Sequence, residues 1–135
     1  MIARLLVVGL VLGHGLIHAA YLAPRPPLTA SGPAWPFELG HSWPLGSLGV
    51  SGDANRLVGV ALVAVTIAGF ALAAVAALGV APADVWTAGI VVGAMASLAL
   101  LVLFFHPWLV LGVAIDVVLL WAVLAVRWVP DNLTT

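Results

Sequence analysis

Apolar residues run along this chain in long unbroken stretches, with neither strand-like alternation nor the polar stripe of a water-facing helix. From Leu5 to Pro24 no residue is charged. A second uncharged run covers the 27 residues from Leu57 to Ala83, and Asp116 is the sole charge in the 42 residues from Val85 to Val126. A helix needs about 20 apolar residues to cross a hydrocarbon core of about 30 Å. The first two runs therefore predict one helix each. The third would be about 63 Å long as a single helix, so it predicts two. The break is expected at Phe105-His106-Pro107-Trp108, because proline disfavours helix in the residue before it and suits a helix start. The expected fold is all-α: a polytopic membrane protein whose four transmembrane helices, at about 3–23, 56–79, 84–104 and 107–128, form a compact bundle. Residues 1–135 are read as a single integral membrane domain. The runs are too long, and too rich in Ala, Leu and Gly, for the strands of a membrane barrel.

Composition agrees. Apolar residues make up 64% of the chain and charged residues 7%, against roughly 45–50% and about 25% in soluble domains. Soluble enzyme, nucleic-acid binder and disordered linker are excluded as classes, and the partner implied throughout is the lipid bilayer. The chain has neither lysine nor cysteine, which removes disulfides, thiolate metal sites and cysteine nucleophiles. Ser42, Ser47, Ser51 and Ser97 stand in no catalytic frame, and nucleophile elbows and phosphate loops are missing. The start, Met-Ile-Ala-Arg, is that of a signal peptide or a signal anchor. The long apolar stretch and the poor cleavage site at His18-Ala19-Ala20 favour an uncleaved first helix.

Orientation rests on weak signals. Arg4 and Arg127 balance Arg25 and Arg56 in the positive-inside count. The anchor-like start and the Pro-rich loop favour a multi-pass cell-membrane protein with both termini in the cytoplasm. Reporter fusions after Thr135 and at Gly46 should then report opposite sides, and termini on different sides would refute four spans. Trp35, Trp43, Trp108 and Tyr21 fall at one interface and Trp86 and Trp128 at the other, as an aromatic belt would place them. Small residues recur four apart at Gly9 and Gly13, at Gly69, Ala73 and Ala77, and at Gly89, Gly93 and Ser97. Such spacing lets helices approach closely, within one bundle or in a homo-oligomer.

The loop at 24–55 holds six of the nine prolines, and also Trp35, Phe37, Glu38, His41 and Trp43. A connection this long is usually a lid, a binding loop or disorder, and disordered segments are poor in aromatics. The loop is therefore expected to cap the bundle, with Trp35, Phe37 and Trp43 dipping into protein or headgroups; a belt lying on the membrane surface is the alternative.

The polar residues converge under that loop. His14 and His18 share one helix face, with Tyr21 about a turn further on. At 1.5 Å per residue His18 lies about 8 Å and His14 about 14 Å from the loop-side end of the first helix. His41 belongs to the loop and His106 to the turn on the same side. Asp116, nine residues into the fourth helix, also lies about 14 Å deep. A lone carboxylate there costs several kcal/mol unless it is protonated or paired, so Asp116 is expected to face His14, with Gly15 and Gly112 leaving room. The candidate pocket is His14, His18, Tyr21, Glu38, His41, His106 and Asp116. Three readings stay open: a small-molecule or lipid-like ligand, bound or moved in a proton-linked pocket; a metal ion or haem on His14, His18 and His106; or an accessory or oligomeric subunit whose His–Asp bond only fixes packing.

Overall fold

The computed structural model describes residues 2–24 and 35–130. Expectations that rest on Arg25, on the prolines between 25 and 34 and on the segment after Pro130 lie outside the described residues. The helices are α1 (Ile2–Ile17), α2 (Trp43–Ser47), α3 (Gly52–Ala77), α4 (Ala83–Leu103) and α5 (Val110–Leu124). A 3-10 turn, His18–Leu22, continues α1, and another, Pro107–Leu109, opens α5. The four long segments, Ile2–Leu22, Gly52–Ala77, Ala83–Leu103 and Pro107–Leu124, are each apolar and long enough to cross a membrane. The break between the last two falls at the proline, where Phe104 and His106 leave helical geometry.

Local chemistry moves two of the expected boundaries. α3 begins at Gly52 and not at 56, because Ser51 caps it: its Oγ accepts the Ala54 N–H at 3.3 Å, and Asp53 sits in the first turn. Hydropathy registers only the apolar part of a helix; the cap decides where it starts. α5 ends at Leu124 and not at 128. There Arg127 adopts φ 56°, and the Trp128 N–H reaches back to the Ala122 carbonyl at 2.9 Å. This turn carries Trp128 onto Trp86, whose Nε1–H donates to the Trp128 carbonyl at 3.3 Å. Trp86 is wholly buried, so it is a core residue at that end of the bundle and not an exposed member of a belt. Between α3 and α4 the chain reverses through Gly79 at φ 80°. Its N–H and that of Val80 satisfy the Ala76 and Val75 carbonyls, a Schellman ending that needs the left-handed conformation glycine supplies.

The bundle is built on α3 and α4. A Cβ at Gly69 would stand 2.5 Å from the Gly93 backbone nitrogen, and one at Gly89 2.7 Å from the Ala73 nitrogen. The two backbones touch, so this stripe is consumed inside the protomer. α1 packs on α3 where Gly15 admits Phe70: an added Cβ would lie 2.8 Å from the Phe70 Cβ. Gly15 thus makes room for α3 rather than for the imidazoles. Gly9 and Gly13 meet nothing within 4 Å, so the pattern on α1 faces outward.

The described part of the loop docks on the bundle. Leu39 is buried against α3, where a Cβ at Gly59 would come 2.5 Å from its Cδ2. Ser42 Oγ and Trp43 Nε1 each donate at 2.7 Å to the Leu103 and Val102 carbonyls, which the end of α4 leaves without helical partners. Trp43 remains 63% exposed, so its indole N–H, not its buried area, ties it to the bundle. Trp43→Phe should speed amide exchange across residues 35–48 while changing the bundle's unfolding free energy by less than about 1 kcal/mol. Leu39→Ala should speed it too while costing about 2–5 kcal/mol for the lost buried side chain. Unchanged exchange in both would show that these anchors hold nothing.

Candidate functional site

Three helices bring four polar side chains together inside the bundle. The His14 Nε2–H donates to Asp116 Oδ1 at 2.8 Å. Ser97 Oγ lies 2.5 Å from Asp116 Oδ2 and 2.8 Å from His18 Nε2. The His18 Nδ1–H closes the chain on the His14 carbonyl at 2.9 Å. Every member is buried, Asp116 completely. The spacing of His14 and His18 on α1 sets their rings edge to face, with centroids 5.4 Å apart, and the Phe70 ring packs 5.2 Å from that of His14. Burial this deep is tolerated because each of the four side chains finds a polar partner.

Beside the network lies a cavity of about 230 Å³ whose lining includes His14, His18, Tyr21, Phe37, Trp108 and Gly112. Its walls are otherwise apolar and come from α1 and its 3-10 extension, Leu101 of α4, α5 with the turn that opens it, and Phe37 of the loop. Asp116 stands behind His14 and does not line it. Within the network, His14 Nδ1 is the ring nitrogen left without a hydrogen bond. Tyr21 and Phe37, in edge-to-face contact at 5.2 Å, also line a second hollow of about 410 Å³ that includes Trp35, Glu38 and Arg56.

The candidate residues thus fall into two groups. His14, His18 and Asp116 meet, with Tyr21 at the cavity's edge. Glu38, His41 and His106 do not join them; they line a hollow of about 130 Å³ together with Trp35 and Trp43. His41 and Glu38 are exposed. His106 Nδ1 accepts the Trp108 N–H at 3.3 Å and so caps the turn into α5. His106 is therefore not gathered with His14 and His18, and both nitrogens of His18 are committed to hydrogen bonds. Among the described residues no three His, Asp or Glu side chains are placed to hold one metal ion.

Ser97 is the residue that sequence reasoning missed. It closes the small-residue stripe on α4 and reads there as a packing position. Depth was the available signal: seven residues from Phe104, it lies about 10 Å in, between His18 and His14.

Fold and site define a four-span helical membrane protein with a buried His/Asp/Ser network. No family model, curated protein or solved structure matches the chain.

Proposed function

We propose that the protein binds a small, largely apolar molecule in the cavity between α1, α5 and the loop, with one hydrogen-bond donor of the ligand held by His14. The supporting observation is the conjunction of an apolar cavity with a single uncommitted imidazole nitrogen on a residue that lines it. Volume limits the ligand. An apolar cavity of about 150 Å³ takes benzene, and drug-sized sites start near 300 Å³. About 230 Å³ suits a molecule somewhat larger than benzene, such as a medium-chain alcohol, a phenol or the head of a lipid-like chain. The loop, through Phe37, acts as its lid, and the loop side faces away from the cytoplasm.

Filling the cavity tests the reading. Gly112→Leu projects a side chain into the space that Leu101 borders, an added Cβ meeting only the tip of Leu101 at 3.1 Å. With a series of primary alcohols and phenols as probes, the tryptophan fluorescence of the parent, to which the cavity-lining Trp108 contributes, should change saturably with a preference for one size. Gly112→Leu should abolish the response while keeping the unfolding midpoint. A parent that responds to no probe, or a filled variant that responds equally, would refute ligand binding in this cavity.

A further inference from the structure

The network's four hydrogen bonds fix a proton count. Each bond needs one proton: His18 Nδ1 to the His14 carbonyl, His18 Nε2 to Ser97, Ser97 to Asp116 Oδ2, and His14 Nε2 to Asp116 Oδ1. A carbonyl cannot donate, so His18 Nδ1 carries one. Two neutral imidazoles, one hydroxyl and one carboxylate supply three protons in all. With three, either the 2.5 Å or the 2.8 Å contact of Ser97 would set two acceptors against each other. The cluster would also hold a net negative charge at a buried site, which is costly. A fourth proton removes both faults and makes the cluster neutral.

We propose that His18, Ser97 and Asp116 form an intramembrane proton relay that holds this fourth proton in either of two places. In the first, His18 is an imidazolium: its Nε2–H donates to Ser97 Oγ, and the Ser97 hydroxyl donates to the Asp116 carboxylate. In the second, Asp116 is a carboxylic acid: its Oδ2–H donates to Ser97 Oγ, and the Ser97 hydroxyl donates to Nε2 of neutral His18. Passage from the first to the second breaks the Nε2–H bond as Ser97 Oγ takes that proton, while Ser97 gives its own to Asp116 Oδ2. No atom leaves, and the cluster stays neutral throughout. His14 keeps its Nε2–H in both forms and serves as a fixed donor.

The relay has a direction in space. His18 lines the cavity, whereas Asp116 has no exposure, so the serine joins a cavity-lining group to a sealed one. The helices around it add no competing charge at that depth. The ionisable residues of α3, Asp53 and Arg56, stand near its start, and Asp84 of α4 lies at the far end of its helix. On the α1 side Arg4 stands at the far end of the helix, and Tyr21, about a turn beyond His18, is the nearer titratable group. The relay stands whether or not the cavity takes a ligand.

The chain's four histidines make the test tractable. Protein labelled with nitrogen-15 histidine and carbon-13 aspartate, in lipid nanodiscs, should show the protonated fractions of the His18 side at Nε2 and of the Asp116 carboxyl adding to one. Asp116→Asn presents the donor pattern of the acid form, its Oδ1 accepting from His14 and its amide N–H donating to Ser97. It should therefore keep the fold and lock His18 as the neutral Nδ1–H tautomer. Ser97→Ala should uncouple the two signals when pH is changed, and Ser97→Thr should couple them again. Neutral His18 beside ionised Asp116 in the parent, or His18 as the Nε2–H tautomer in Asp116→Asn, would overturn the relay. Those two spectra decide the matter even if Ser97→Ala does not fold.

Discussion

Asp116→Ala should destabilise the bundle by about 3 kcal/mol, measured by equilibrium unfolding in mixed micelles. Interhelical hydrogen bonds between neutral side chains in membranes are worth only about 0.6 kcal/mol on average. Asp116, however, receives bonds from two other helices and is fully buried. Removing one partner of a buried charged pair costs about 3–5 kcal/mol, because the remaining groups lose their partner and cannot recover water. Truncation here strands His14 Nε2 and Ser97 together. Asp116→Asn keeps an acceptor and a donor in place and should cost less than about 1 kcal/mol. His14→Ala should also destabilise, and the double variant with Asp116→Ala should lose clearly less than the sum. Additive losses would mean that the 2.8 Å contact carries no energy.

Gly69→Ala should cost at least about 3 kcal/mol, although it adds one methyl to a helix and improves its propensity. Overpacking ordinarily costs about 1–3 kcal/mol because side chains shift to absorb it. At Gly69 nothing can shift: the new Cβ would meet the Gly93 nitrogen at 2.5 Å and its Cα at 2.7 Å, both backbone. α3 and α4 would have to part along their seam, which carries Phe70, Ala73 and Ile90 in the core. Gly13→Ala is the matched control. With nothing within 4 Å of its Cβ, it should be neutral or stabilising by up to about 1 kcal/mol. Equal effects at Gly69 and Gly13 would show that the α3–α4 contact is looser than described.

What the sequence determined by itself follows from one-dimensional rules. Run lengths measured against bilayer thickness yield four helices, and Pro107 places the break between the last two. Depth along a helix is also one-dimensional, so His14 and Asp116 could be set at one level from counting alone, and they meet. What counting cannot supply is rotation about each helix axis. In lipid every face of these helices is apolar, so no amphipathic stripe marks the inward side. The inward turn of Ser97, the outward turn of Gly9 and Gly13, and the burial of Trp86 were therefore decided only by which backbones could approach. The separation of Glu38, His41 and His106 from the inner histidines has a related cause. The loop is anchored by Leu39 against Gly59 and by Ser42 and Trp43 on the end of α4. Those contacts hold its polar residues above the bundle, where two carbonyls and a glycine notch, invisible in any linear pattern, set their position.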